Sequence, residues 1–193
     1  MTPTDIIFKR IFDVFFSFFG LLFTGGLILL LALLIFLEMR DFPFFTQTRF
    51  GQFGKPFIIF KLKTMRTAKF ESEIDKDRIT ILGKWLRKFK FDELPQFWNV
   101  LKGDMSMVGP RPDFLSLLDE LKEEDKIILS IKPGITGPAS IKFMNEEQLL
   151  ACQPNPEEYN RTVIWPEKVE INKKYILEYS FLKDIKYILK TIF

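Results

Sequence analysis

Val14 to Leu37 is a run of 24 residues without a charge. No segment constrains the fold more, because so long an apolar stretch must be covered by lipid or by the rest of the protein. As a helix it reaches roughly 36 Å at about 1.5 Å per residue, enough to match a hydrocarbon layer of about 30 Å. It is too long for the apolar core of a signal peptide, and no small-x-small cleavage site follows it, so the segment is expected to be retained. Thr24-Gly25-Gly26 stands near its middle, where paired glycines weaken a helix and permit a bend. Lys9 and Arg10 precede the run and Arg40 and Arg49 follow it, so the positive-inside bias gives no direction. Two topologies remain. A straight span places Lys9 and Arg10 outside, whereas a re-entrant hairpin bent at Thr24–Gly26 keeps both ends on the cytoplasmic side. Asp13, near the start of the run, needs a partner, and Lys9 or Arg10 can supply it.

The rest of the composition narrows the chemistry. At 193 residues the chain fits one domain plus a membrane element. Its 23 phenylalanines, many of them early, point to lipid contact as well as a core. There is no histidine, which excludes Cys/His metal sites and Ser-His or Cys-His nucleophile schemes. The single cysteine, Cys152, excludes an internal disulfide, fits a reducing compartment and reads as structural. Positive charge gathers in the middle: residues 49–111 hold 14 basic and 7 acidic side chains, against 11 and 14 from 112 onward. That segment is either a solvated basic face or the part that meets anions and membrane.

Local patterns predict a small α/β protein, mostly helical with a small β element. Residues 42–66 read as a β-rich or extended segment, with the apolar run Phe57 to Phe60, the alternation Lys61 to Met65, and Gly51, Gly54 and Pro56 marking the preceding turn. Residues 67–80 read as a surface loop. Leu82 to Lys90 reads as a short helix with Trp85, Leu86 and Phe89 on one side. Leu94, Phe97, Trp98 and Leu101 recur at helical spacing as a core-facing stripe, with Asp92 as N-cap and Gly103 past the end. Asp113 to Ser130 reads as a further helix, Glu146 to Ala151 as a short one, and 154–161 as a polar connection. The last segment, with Leu182, Ile185, Leu189 and Ile192 among Lys183, Lys186 and Lys190, forms an amphipathic helix suited to a membrane surface or to core packing.

Asp92 and Glu93 are the main candidates for chemistry. One reading makes them a cap and a first-turn acid favoured by the helix dipole. The other uses the same place for catalysis: a helix start attracts phosphate, and Arg87, Lys88 and Lys90 gather an anionic substrate. An ionised carboxylate can attack phosphorus or hold a divalent cation, and Mg²⁺ would neutralise a diphosphate. Arg111, between Pro110 and Pro112, suits bidentate phosphate binding or is a surface arginine. Lys61 and Lys63 share a strand face or line a solvated edge.

Several linked motifs then carry a resemblance: Lys9-Arg10-Ile11-Phe12-Asp13, the apolar run, Phe60 to Met65, Asp92-Glu93-Leu94-Pro95-Gln96, Lys102 to Ser106, Gly109-Pro110-Arg111-Pro112 and Pro133 to Gly137. In that order, over nearly the whole chain, they resemble the small monotopic phosphoglycosyl transferases of bacteria, the bacterial sugar transferase family. The resemblance implies transfer of a phospho-sugar from a UDP-sugar to undecaprenyl phosphate with release of UMP, at the cytoplasmic face of the inner membrane, as the first step of glycan assembly. It implies Asp92 as nucleophile and Mg²⁺ contact, with Glu93 positioning or deprotonating the acceptor phosphate. Arg111 would hold phosphate, Arg87 would support the dyad, and Lys9, Arg10 and Asp13 would stabilise the membrane element; Lys61 is a further candidate for binding substrate phosphate. It implies a re-entrant helix-break-helix over residues 1–40 and a catalytic domain with amphipathic interfacial helices over 41–193. Two departures stand out: relatives commonly break the helix at Ser-Pro, where this chain has Thr24-Gly25-Gly26, and Pro138 to Phe143 replaces a stretch that often ends in Asn-Gly-Arg. A homodimer is compatible with the sequence. A membrane-anchored, non-catalytic scaffold of a glycan-assembly complex is the alternative; the modest charge excess and core-spaced aromatics argue against nucleic acid.

Overall fold

The computed structural model describes residues 1–67, 78–113 and 117–192. The loop expected over 67–80 lies mostly outside them. The described residues are mostly helical, with two small sheets and one long apolar N-terminal helix.

That helix, α1, runs from Pro3 to Met39. Thr2 and Asp5 form a capping box in which each side chain accepts the other's backbone N–H, and Pro3 supplies a preset first turn. The helix ends where Arg40 turns left-handed. The expected break at Thr24-Gly25-Gly26 is not formed: α1 continues through all three residues, and the Thr24 hydroxyl donates to the Gly20 carbonyl at 2.6 Å. Glycine permits a break without forcing one, and the helix stays continuous through the pair, with buried contacts on both sides of it. Lys9, Asp13 and Ser17 are buried before it; Ile28, Leu31, Ala32 and Ile35 are buried after it, packed with Leu62 and Leu86. The opposite face of α1 is exposed and apolar, with Phe15, Phe23, Leu29, Leu33 and Leu37 among its residues.

The expected β segment is an antiparallel hairpin. β1 (Phe44–Phe50) pairs with β2 (Pro56–Leu62) across a 3-10 turn at Gln52–Gly54. Helix α2 (Ile81–Lys88) begins at Thr80, whose hydroxyl accepts from the Gly83 N–H. Its buried face is Gly83 and Leu86, whereas Trp85 and Phe89 are exposed, so the side expected to be shared by Trp85, Leu86 and Phe89 is split. Gly83 is required by contact: a Cβ there would lie 2.1 Å from the Thr64 carbonyl oxygen.

Helix α3 (Gln96–Lys102) starts later than expected, and Asp92 does not cap it; Pro95 holds that position without a side-chain bond. The predicted core stripe is also rotated. Gln96, Asn99 and Val100 are buried, while Trp98 is 51% exposed and Phe97 lies against Gly20 of α1. The reason is polar. Asn99 donates to the Ile58 carbonyl at 2.7 Å and accepts from the Phe60 N–H at 3.1 Å, so its amide completes the β2 edge as a neighbouring strand would.

β3 (Ser106–Val108) and β4 (Gly134–Thr136) form a two-stranded parallel sheet. Between them, of the helix expected over 113–130, residues 114–116 lie outside the described residues and Glu123–Ser130 forms a 3-10 helix. α4 (Pro138–Lys142) and α5 (Glu146–Ala151) follow β4. The expected polar connection is helical: α6 (Pro156–Tyr159) passes through a π turn at Asn160–Ile164 into α7 (Trp165–Leu177). Pro166 has no N–H to offer Thr162, and the wider turn gives its ring room. Phe50, Val108, Ile128, Trp165, Val169 and Tyr175 form the main core. α8 (Phe181–Ile192) is the expected terminal helix, but Asp184 is its buried residue while Leu182 and Leu189 are exposed.

Candidate active site

Lys90 is left-handed (φ 57°), which turns the chain sharply from the end of α2 into a 3-10 turn at Phe91–Glu93. The turn draws both carboxylates inward: Asp92 and Glu93 are each 8% exposed. Their surroundings differ. Glu93 Oε1 accepts from Lys61 Nζ at 2.8 Å and from an Arg111 guanidinium nitrogen at 3.0 Å. Burial by itself would raise its pKa, but Arg111 and then Lys61 outweigh that and hold it at about 2. Asp92 is shifted the other way, raised by burial and then by the Glu93 charge, against the pull of Lys61, Lys90 and Arg87. Its Oδ1 is buried and has no hydrogen-bond partner.

Arg111 reaches Glu93 from the turn that follows β3. Two glycine-rich segments interlock to hold that turn. Gly109 N–H donates to the Thr136 carbonyl at 2.9 Å, and Gly134 N–H to the Pro110 carbonyl at 2.8 Å. A Cβ on Gly134 would lie 2.1 Å from the Gly109 nitrogen, so the approach admits only glycine. Arg111 has its pKa raised, first by Glu93. Lys61 projects from β2, whose register the Asn99 amide fixes. Arg87, whose charge reaches Asp92, is held by Thr64 and Met65: its Nε donates to Thr64 Oγ1 at 2.9 Å, and a terminal nitrogen lies 2.9 Å from Met65 Sδ.

The sequence-level site residues thus fall into two groups. Asp92, Glu93, Arg111, Lys61 and Arg87 converge. Lys9, Arg10 and Asp13 instead tie α1 to the elements that carry the site. Arg10 donates to the Val100 and Leu101 carbonyls at the end of α3, at 2.7 and 2.9 Å. Asp13 accepts from Ser106 Oγ and the Met107 N–H on β3, so its hydrogen bonds go there and not to Lys9 or Arg10. Lys9 pairs at 2.5 Å with buried Asp184 of α8, which also accepts from Tyr175 and Tyr179. Thr24, Gly25 and Gly26 lie away from the carboxylates; a Cβ at either glycine would meet nothing within 4 Å.

Sequence reasoning missed Asn99, whose role depends on a strand far from it in the chain. It also missed Arg49 and Asp113, which lie in the electrostatic reach of Arg111. Lys168 on α7, 5% exposed and paired with Glu146 at 2.8 Å, adds a cation whose charge reaches Asp113. Among the described residues no three acidic or cysteine side chains converge to hold a metal by themselves.

Comparison with known proteins identifies the family. The family model described as bacterial sugar transferase matches residues 4–193. The protein named uncharacterized sugar transferase EpsL, from Bacillus subtilis, is 36% identical over 190 residues, covering 97% of this chain and 86% of the relative. The undecaprenyl-phosphate glucose phosphotransferase of Komagataeibacter xylinus is 36% identical over 205 residues, covering 100% of this chain and 36% of the relative. The UDP-glucose:undecaprenyl-phosphate glucose-1-phosphate transferase of Caulobacter vibrioides is 33% identical over 193 residues, covering 95% and 68%. The chain therefore spans most of the length of some relatives and well under half of others. It belongs to the bacterial sugar transferase family.

Proposed function

We propose that the protein transfers a phospho-sugar from a UDP-sugar to undecaprenyl phosphate in two steps through Asp92. The observation that carries the reading is the buried, unpartnered Oδ1 of Asp92, beside an ion-paired Glu93 and within the field of Lys61, Lys90 and Arg87. A buried carboxylate oxygen left without a donor is destabilising unless it has a task. The names of the Komagataeibacter and Caulobacter relatives supply the substrate classes.

In the first step an Asp92 oxygen attacks the sugar-bearing phosphorus. The phosphoanhydride P–O bond breaks, and UMP leaves with the bridging oxygen and its electron pair. In the second step a phosphate oxygen of the acceptor attacks the same phosphorus and displaces the Asp92 carboxylate, forming a polyprenyl diphosphate sugar. Splitting the exchange means that two bulky anions need not share the site. Arg111 and Lys61 face the transferring phosphate. Glu93, held ionised with a pKa of about 2, is too weak a base to take a proton near neutral pH. Its part is to position those two cations. The acceptor needs little help, because a phosphate monoester with a second pKa of about 6 is already largely dianionic. The donor set fits Mg²⁺ in the way that ion is usually held, by one or two carboxylates plus substrate phosphates, with Asp92 as the protein ligand. Bound there, the ion would offset the diphosphate charge.

The membrane arrangement belongs to the same proposal. The protein packs on α1 from Lys9 to Ile35, about 39 Å of helix. An upright span would carry that packed domain into hydrocarbon. Support therefore goes to entry into one leaflet, with both ends of α1 on the cytoplasmic side and exposed Leu182 and Leu189 of α8 at the same surface.

UMP release from a panel of UDP-sugars, with purified protein in nanodiscs, undecaprenyl phosphate and Mg²⁺, tests the reaction. Release that requires Asp92 is expected. Wild-type release by Asp92→Asn, with reversion by deamidation excluded, would remove Asp92 from the mechanism. Folded wild-type protein that still binds vesicles but releases no UMP from any donor would favour the scaffold.

A further inference from the structure

The outward side of α2 carries Ile81, Trp85 and Phe89, spaced every fourth residue. They are 85%, 44% and 49% exposed, and the core-facing side of the helix is Gly83 and Leu86. Core packing therefore does not account for them. Trp85, Phe89 and Phe91 join into one aromatic group, with ring centroids 5.2, 5.3 and 6.0 Å apart. Phe91 links this group in two directions. It immediately precedes Asp92 within the same 3-10 turn, and it packs against the cluster that α1 forms with Leu62 and Leu86. An apolar strip thus extends about 12 Å along α2, from Ile81 to Phe89, and ends at Phe91, beside both the α1 cluster and the candidate nucleophile. Exposed Lys84, Lys88 and Lys90 edge it; Lys88 Nζ lies 5.6 Å from the Phe89 ring centroid, and the Lys90 charge reaches Asp92.

An apolar path that ends at a nucleophile and is bordered by cations fits a ligand with a long hydrocarbon chain and an anionic head. We propose that Ile81, Trp85, Phe89 and Phe91 seat the isoprenoid chain of the lipid-phosphate acceptor nearest its phosphate, with Lys84, Lys88 and Lys90 receiving the headgroup charge. This rests on the reaction assigned to Asp92 above. Rings joined to the catalytic turn itself are placed to orient one reacting lipid, whereas the broad apolar face of α1 serves the bilayer.

The test is Trp85→Gln combined with Phe89→Gln, both exposed positions that leave the core intact. In nanodiscs the KM for undecaprenyl phosphate is expected to rise about tenfold, with the KM for the UDP-sugar unchanged and co-sedimentation with phosphatidylethanolamine–phosphatidylglycerol vesicles unchanged. A benzophenone-bearing prenyl phosphate, which needs no turnover, is expected to crosslink within residues 81–91 of the wild type and not of the variant. An unchanged acceptor KM together with no crosslink would overturn the proposal while leaving the reaction standing. Parallel loss of vesicle binding would make the strip a contact with bulk lipid, and a smaller particle mass in the variant would make it a contact with a second copy; either would overturn the proposal. Crosslinking at the strip in a protein that releases no UMP would support the lipid site and defeat the reaction instead.

Discussion

Asp92 carries a cost to folding that its removal should reveal. Its carboxylate is buried, sits beside the Glu93 charge and leaves Oδ1 without a donor. An unmet buried acceptor costs about 1–3 kcal/mol, partly offset here by the field of Lys61, Lys90 and Arg87. Asp92→Asn removes the charge and the repulsion at nearly constant shape. The expected gain is about 1 kcal/mol, or about 2–4 °C in Tm for a protein of this size. The pH dependence has a definite sign. A carboxylate whose folded pKa is raised weakens the fold above that pKa and ceases to do so once protonated. The advantage of Asp92→Asn should therefore be full near neutral pH and shrink as pH falls through the raised pKa of Asp92. Thermal unfolding of both proteins in the same detergent, at several pH values, reads this directly. A lower Tm for the variant at neutral pH would show that the Asp92 charge is a structural tie to its cations, and would remove the argument that this carboxylate is kept for chemistry.

Glu93 should behave oppositely: with a folded pKa near 2 against an ordinary 4.5, it contributes about 3 kcal/mol that is present above pH 4.5 and lost as pH falls through 2. Chemical denaturation of Glu93→Gln and wild type across that range should show the difference between them closing at low pH. Asn99→Leu keeps volume but strands the Ile58 carbonyl and Phe60 N–H, and should lower stability by about 2–4 kcal/mol with a fall in kcat, read by unfolding and by UMP release. Lys9→Met leaves the buried Asp184 charge without its cation and should cost about 3–5 kcal/mol, which Lys9→Met with Asp184→Leu restores only in part in the same unfolding assay, because the buried Tyr175 hydroxyl then loses its acceptor.

The β-rich character of residues 42–66, the short helices near 81 and 146 and the amphipathic end were legible because each follows from local pattern: turn residues, capping and periodicity. The errors share a cause, which is that local pattern does not say what a face meets. Leu94, Phe97, Trp98 and Leu101 have the spacing of a core stripe, yet Asn99 holds the interior because β2 needs donors and acceptors at its edge. Asp92 has the sequence position of a cap, but left-handed Lys90 folds it into a separate turn. Asp13 does feel the charges of Lys9 and Arg10 one turn away, but its hydrogen-bond donors come from β3, more than ninety residues later. The convergence of Asp92, Glu93 and Arg111 had a signal in the linked motifs; Arg49, Asp113 and Lys168 had none beyond their charge.

The glycine pair in α1 remains the least economical feature of the helix. Small residues are usually placed where another backbone or side chain comes close, as Phe97 does at Gly20, but Gly25 and Gly26 meet nothing. Each weakens an exposed helix by about 1 kcal/mol relative to alanine, and no contact in the structure repays it. The helix is continuous through the pair and packed on both sides of it, so the pair matters only if α1 changes shape during its work in the membrane. Gly25→Ala with Gly26→Ala separates the two cases. The space is open, so the double variant should fold and gain about 2 kcal/mol in the helix. If α1 bends at this point to insert into one leaflet, the stiffer helix should lower UMP release in nanodiscs several-fold while protein yield and Tm rise. Equal turnover with the higher Tm would mean that α1 works as the unbroken rod seen here, and that one-leaflet entry depends on how the packed domain lies against the helix and not on a hinge within it.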